Sequence, residues 1–440
     1  MKTFSIGGVH PSENKLTAGV PIVDLPRPVE VVLPLSQHIG APARPVVKIG
    51  DHVVRGQMIA EPDGFVSVPV HTPVSGKVVK IDKCKTPQGL PVDAVYIKSD
   101  EEDRRRDEEI VASLSPVRDD AAVEALESKE IIGIIRDAGI VGMGGAAFPT
   151  HVKLSPPKEM EAEMVIVNGA ECEPYLTCDD AIMRACPSEI VHGTQLLMRA
   201  AGVGRGVIAV ENNKPEAIAA LSAAAVSVPG VEVMPLKVKY PQGGEKQLIE
   251  AVTGREVPSG ALPVATGAIV QNVATALAVE RAVVYGEPLI ERVMTFVSPL
   301  KAGNYRVTLG TSMRDIAGEL APEIGKVIVG GPMMGRSGSN LDTPVVKATS
   351  GLLLFPAVES RRSGIEPCIR CGACVDACPM GLEPYLLSTL SRLHRFDEAK
   401  KQKIANCIMC GSCSYACPSS RPVLDFIRIG RAAVMEASRK

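Results

Sequence analysis

The sequence predicts a multidomain α/β protein, and three observations carry that prediction. Short β-branched runs separated by turn residues fill positions 49–81, and strands alternate with helices from about 164 to 236. Near the end stand two matched cysteine runs, Cys368-x2-Cys371-x2-Cys374-x3-Cys378-Pro379 and Cys407-x2-Cys410-x2-Cys413-x3-Cys417-Pro418. The 440 residues suggest about three domains on length alone. Changes of texture divide them into four units, at 1–100, 120–288, 289–340 and 360–440. Apolar residues make up 45% of the chain and aromatics 3%, with no Trp, so the cores must rest on Val, Ile, Leu, Ala and Met.

In the first unit, Gly50-Asp51, Gly56-Gln57 and Pro73-x2-Gly76 punctuate the short strands at the spacing of a lipoyl-like barrel-sandwich hybrid. A carrier domain of that type presents a modifiable Lys at a hairpin tip. Glu61-Pro62-Asp63-Gly64-Phe65 occupies that region, so the unit reads as a docking or structural module. The charge block at 99–109 has no apolar face and reads as a solvated linker or helix surface. Apolar residues then recur at helical intervals over 124–138, with Gly139 as the stop.

The second unit opens on a glycine-rich loop containing Gly139, Gly142, Gly144 and Gly145, followed by Phe148, His151 and Lys153. Four glycines in seven residues let backbone amides approach an anion, and the lysine adds charge; taken alone, the loop is as well explained by a packing turn. A buried strand at 164–168 runs into Gly169-Ala170-Glu171-Cys172-Glu173-Pro174, which puts polar groups at a strand's C-terminal end, where open α/β sheets bind ligands. Strands at 206–211 and 231–236 flank a helix at 215–225, which argues for a parallel sheet. Gly202-x-Gly204-x-Gly206 precedes a strand and reads as a turn, not a nucleotide fingerprint. Tyr240 to Lys246 form a second glycine-rich turn, and 270–273 reads as helical. Over 289–335 a strand at 304–309, a helix at 312–320 and a strand at 327–329 suggest a compact ubiquitin-like α+β unit used for packing.

Three cysteines at two-residue gaps can wrap one corner of an iron–sulfur cube, with the fourth leaving on the helix beyond. Two such runs predict two [4Fe–4S] clusters. Structural zinc usually brings two ligand pairs separated by a longer loop, which is a different pattern. In doubled runs the fourth cysteine crosses over, so Cys368, Cys371, Cys374 and Cys417 form one set, and Cys407, Cys410, Cys413 and Cys378 the other. Between the runs, 382–404 reads as helix with an apolar stripe at Leu386, Leu390 and Leu393. Cys84, Cys172, Cys178 and Cys186 have no ligand spacing and read as packing thiols.

A formal charge of −2 gives no reason to expect nucleic acid as a partner. The opening residues lack a signal-peptide pattern, and no apolar run is long enough to span a bilayer. The expectation is a chain in a reducing cytoplasm that meets a membrane only through other subunits.

With these motifs in view, the chain resembles the RnfC family of the Rnf electron-transport complex, a membrane-bound ferredoxin:NAD oxidoreductase. The resemblance rests on Gly7-Gly8-Val9-His10-Pro11, on the loop from Gly144 to Lys153, on Glu171-Cys172-Glu173-Pro174, on Gly330-Gly331-Pro332-Met333-Met334-Gly335 and on the paired cysteine runs. The middle section is similar to the NADH-oxidising flavoprotein of respiratory complex I, which implies a Rossmann-type FMN domain; the following unit would be a ubiquitin-like SLBB unit, and the last a helical ferredoxin-like domain. Carried over by motif, Gly142, Gly144, Gly145, Phe148 and Lys153 would hold FMN phosphate and shape the NADH pocket. Asn168, Glu171, Glu173, Gly244, Glu245 and Asn272 would line the flavin and nicotinamide. The chain departs from that relative at Val141 and Met143, which replace arginines, at Lys246, where a second Glu is expected, and at Gln271, which replaces an asparagine.

The resemblance implies a peripheral subunit on the cytoplasmic face of the membrane, with integral and ferredoxin-like subunits as partners. Nicotinamides exchange hydride, clusters exchange single electrons, and a flavin can do both. The expected chemistry is therefore hydride exchange between NAD(H) and FMN, then single-electron steps through both clusters, with no side chain acting as nucleophile or strong acid–base. A soluble cobalamin reductase of the microcompartment type and a flavin-free iron–sulfur relay remain as alternatives. Ion pumping would belong to the integral partners.

Overall fold

The computed structural model describes residues 1–86, 89, 91–319, 324–338, 340–360 and 363–438. Leu320, at the end of the expected helix, and Arg362 and Lys440, within the expected last unit, lie outside them.

After β1 (Ile22–Asp24), which leaves to join a later sheet, the N-terminal unit contains β2 (Glu30–Pro34), β3 (Arg44–Pro45), β4 (His52–Val53), β5 (Met58–Glu61), β6 (Val70–His71), β7 (Gly76–Lys85) and β8 (Pro91–Lys98). They form two sheets, β2-β8-β7-β4 and β3-β5-β6. Val31, Val78 and Ile97 alternate with more exposed neighbours, and with Leu33 and Val95 they point into one core, as the two-residue period requires.

The charge block is not a free linker. It forms α1 (Glu101–Ala112), started by a capping box between Asp100 and Asp103. Two acids four residues apart lie on one helical face and turn inward. Asp107 accepts from the Ser75 backbone N–H at 2.9 Å and the Ser75 hydroxyl at 2.6 Å, and Asp103 lies 2.7 Å from His52 Nε2. The helix therefore docks on the β-sandwich through carboxylates rather than through an apolar stripe.

The stretch expected as one helix over 124–138 is two pieces, α2 (Asp120–Glu124) and α3 (Ser128–Asp137). After the short α4 (Thr150–Lys153) come β9 (Met164–Gly169), α5 (Cys178–Ala185), α6 (Pro187–Ala201), β10 (Gly206–Glu211), α7 (Pro215–Ala225), β11 (Val231–Leu236), α8 (Glu245–Thr253), β12 (Ala268–Asn272) and α9 (Val273–Tyr285). The four strands are parallel in the order β11-β10-β9-β12, a Rossmann-type arrangement. Val165, Ile166 and Val167 are wholly buried, as expected of a strand with both faces covered. For the same reason Val270 to Asn272 read as helical in the sequence but close a strand, because a short buried apolar run has no distinguishing period.

The next unit comprises β13 (Glu291–Val297), β14 (Ala302–Thr308), α10 (Met313–Ala317), β15 (Ile324–Val329), β16 (Arg336–Ser337) and β17 (Gly351–Pro356). Its sheet runs β1-β14-β13-β17-β15-β16, so distant segments of the chain complete it. Met294, Phe296, Val307 and Leu309 share one apolar core with Val31, Leu33, Val95 and Ile97 of the N-terminal unit.

The C-terminal unit holds α11 (Ala373–Asp376), α12 (Pro384–Arg392), α13 (Phe396–Lys401), α14 (Ser412–Tyr415) and α15 (Val423–Ala437). The expected helix over 382–404 breaks at His394, whose φ is +57°. Leu387 and Leu390 face the core, whereas Leu393 is 53% exposed, because the apolar stripe belongs to α12 alone. Among the described residues no helix is long and apolar enough to cross a membrane.

Candidate functional site

The chain crosses from β11 back past β9 to reach β12, so the strand order reverses between β9 and β12. That reversal opens a crevice at the strands' C-terminal ends. Asn168 and Asn272 are register partners there. Asn272 caps α9 by accepting from the Ala274 N–H at 2.8 Å, and its amide donates to Asp179 Oδ2 at 2.8 Å. Asn168 donates to the Gly243 carbonyl at 2.9 Å, which joins the strand end to the second glycine turn.

The first glycine loop folds over this crevice. It is pinned by Gly142 N–H donating to the Phe148 carbonyl at 2.8 Å and by Met143 N–H donating to the Thr275 hydroxyl oxygen at 3.0 Å. A Cβ on Gly144 would stand 3.7 Å from Asn272, and Gly145 has φ +113° with open space where its side chain would be. The tip from Gly144 to Ala146 is exposed. Lys153 donates to Glu245 Oε1 at 2.7 Å and to the Val270 carbonyl at 3.1 Å, so its ammonium sits between the two glycine turns. Phe148 is half-buried behind the loop, and Gly244 precedes α8 as its cap. His151 turns away, its Nε2 lying 3.2 Å from the Phe65 carbonyl of the N-terminal unit.

The two acids after β9 do different work. Glu171 accepts from the Asp179 N–H at 2.9 Å and the Asp180 N–H at 3.3 Å at the start of α5. Beside it Asp179 is held up to about 7, first by burial and then by the charge of Glu171. Burial also drives the neighbouring Cys178 thiol well above its usual range and lowers the buried Arg292. Lys15, from the N-terminal arm, donates to the carbonyls of Glu171, Glu173 and Leu176 at 2.7, 2.9 and 2.7 Å and braces the loop from below.

Glu173 points away from the crevice. It accepts from the N–H groups of Met333 and Met334 at 2.9 and 2.8 Å, and a Cβ on Gly331 would fall 2.2 Å from its Oε2. The Gly330-to-Gly335 motif is thus a turn folded tightly around one carboxylate, which burial raises and the two amides oppose.

Of the cysteines, Cys378, Cys407, Cys410 and Cys413 line one pocket together. Cys374 stands within electrostatic reach of Cys417 and Cys368. Cys368 and Cys371 are exposed, whereas Cys378, Cys410 and Cys413 are buried.

Residues 2–102 match the RnfC barrel-sandwich hybrid domain, 135–281 the Nuo51 FMN-binding domain and 362–418 a 4Fe-4S dicluster domain. The chain is 44% identical, over 91% of its length, to the C subunit of the proton-translocating ferredoxin:NAD(+) oxidoreductase complex of Clostridium ljungdahlii, covering 87% of that relative. It is 42% identical to the Na(+)-translocating counterpart of Acetobacterium woodii, over 99% of this chain and 98% of that one. The chain belongs to the RnfC family. In fold it is also similar to a chain of an NAD+-reducing [NiFe]-hydrogenase, with a TM-score of 0.51 at 18% identity over 77% of this chain and 73% of that one.

The donor sets of this RnfC-family chain fit the cofactors its domains imply. A pocket lined by four thiols is the chemistry an iron–sulfur cube needs. In β12, one residue before Asn272, Gln271 is buried with neither side-chain amide atom partnered, the kind of orphan that a bound ligand satisfies. Sequence reasoning did not single out Asp179, Lys15 or the Tyr240 hydroxyl. Only the Thr177-Cys178-Asp179-Asp180 run at a helix start could have signalled the first of them.

Proposed function

We propose that this chain is the nicotinamide-facing subunit of a ferredoxin:NAD+ oxidoreductase complex, exchanging reducing equivalents between NAD(H) and the one-electron carriers of its partners. FMN would supply the conversion between hydride and single-electron transfer. The observation that carries this reading is a glycine-lined crevice at the sheet's switch point in the same chain as two cysteine quartets, one of them packed against that domain.

In this reading the backbone N–H groups of Gly144 and Gly145 and the Lys153 ammonium hold the flavin phosphate, while Gly142, its own N–H bonded to the Phe148 carbonyl, shapes the loop and Phe148 backs it. Asn168, Asn272, Gly244 and Glu245 line the ring and nicotinamide positions, while Glu171 and Glu173 shape the strand end from behind. Val141 and Met143 bring no charge to the loop, so Lys153 carries its phosphate electrostatics. Cys368, Cys371, Cys374 and Cys417 hold one [4Fe–4S] cluster, and Cys407, Cys410, Cys413 and Cys378 the other. The chain sits on the cytoplasmic face, docked on integral and ferredoxin-like subunits.

Titrating FMN fluorescence with the apo-flavin chain tests the crevice. The chain should quench and hold FMN, and Gly145→Val should weaken binding at least tenfold, about 1.4 kcal/mol, while leaving iron content unchanged. A β-branched residue at φ +113° strains the loop and fills its open side. No FMN binding by the natural chain would instead support a flavin-free relay.

A further inference from the structure

The flavin-binding domain touches the two cysteine quartets very unequally. Tyr240 is among the largest fully buried side chains, and its hydroxyl donates to the Cys410 carbonyl at 2.7 Å. Glu173 Oε1 lies 3.3 Å from the same hydroxyl. From α8, Gln247 Nε2 donates to the Pro379 carbonyl at 3.2 Å, the residue after Cys378. The N-terminal arm adds a bond from Gly8 N–H to the Ala377 carbonyl at 3.1 Å, and a Cβ on Gly7 would lie 2.4 Å from the Cys378 carbonyl carbon. Each of these contacts reaches the quartet of Cys378, Cys407, Cys410 and Cys413, the more buried of the two and called the buried quartet below. Val9, Tyr240, Ala377 and Cys410 form one small apolar core that keeps water from the junction.

Tyr240 is also joined to the crevice. It starts the turn whose Gly243 carbonyl accepts from Asn168, and a Cβ on Gly243 would meet the Ala170 carbonyl at 2.3 Å. The turn therefore spans from the end of β9 to a cluster ligand within four residues. A donor hydrogen held beside a ligand residue in a dry junction places partial positive charge near the cluster, and that favours the more negatively charged, reduced cluster.

We propose that Tyr240 is a positioning residue for electron transfer: it fixes the cluster of the buried quartet against the flavin domain and, through its hydroxyl, raises that cluster's reduction potential. The inference rests on the cysteine assignment above. Tyr240→Phe removes one oxygen and keeps the packing.

The test is a redox titration of the full chain with both clusters reconstituted, followed by paramagnetic resonance. A Cys371→Ala background, lacking the cluster of the exposed quartet, identifies which signal is which. Tyr240→Phe should lower the potential of the buried-quartet cluster, so that its reduced-to-oxidised ratio at a fixed poise falls about tenfold, which is 59 mV for one electron. The other cluster's potential and the iron content should hold, and the chain should still unfold in one cooperative transition, its midpoint lowered only by the loss of one buried hydrogen bond. Unchanged potentials, or equal shifts at both clusters, would overturn the proposal while leaving the assignment of clusters intact. A natural chain that binds no second cluster would overturn both.

Discussion

Asp179 shows what the crevice costs the fold. Its carboxyl is buried beside Glu171, and the folded state holds its proton up to about 7, against an ordinary 3.8. Between those values the native chain binds a proton that the unfolded chain does not, so the group's contribution to stability declines as pH rises through that window. Asp179→Asn removes the charge and leaves an acceptor for Asn272. It should raise thermal stability at pH 8 by about 1–3 kcal/mol, with the gain fading towards pH 4. Melting curves across that range check this, and a gain that is flat with pH would contradict it. The two cysteine runs were legible at this scale as a cluster domain, and residues 362–418 match a 4Fe-4S dicluster domain. The inward turn of Glu173 was not, because its partners Met333 and Met334 are contributed by another unit 160 residues along the chain.

Among elements, α1 departs most from its sequence. A block of ten charged residues carries no apolar stripe, so its docking could not be read from periodicity. Ser75 supplies the reason: its N–H and hydroxyl both need the Asp107 carboxylate in a buried place. Asp107→Ala leaves those donors unpaired and should cost about 1–3 kcal/mol. Denaturant unfolding measures this, and Asp107→Asn should recover part of the loss; a change within about 0.5 kcal/mol, the size expected at a solvated surface site, would restore the linker reading. The parallel strands were legible as buried β-branched runs, yet β12 passed for helix until pairing with β9 placed it. Likewise β1 and β17 complete a sheet from residues 22–24 and 351–356, pairings that no local pattern announces.

At the scale of the whole molecule, a few buried polar groups join the units. Lys347 donates to the carbonyls of Pro69 and Gly139 at 2.9 and 2.7 Å, tying the barrel-sandwich unit to the head of the glycine loop, and burial lowers it to about 7. Glu173 and Tyr240 tie the flavin-binding domain to the Gly330 turn and the buried quartet. The order of the barrel-sandwich, FMN-binding and dicluster domains was legible, since each has its own motif; their mutual contact was not, because it depends on single side chains reaching across domain boundaries. That contact is what a converter between hydride and single electrons requires. The most direct test is an anaerobic NADH titration of the full chain loaded with FMN and clusters, followed by absorbance and paramagnetic resonance. Flavin bleaching accompanied by cluster reduction is the predicted result. Clusters that dithionite reduces, in a chain whose flavin does not respond to NADH, would contradict the converter role.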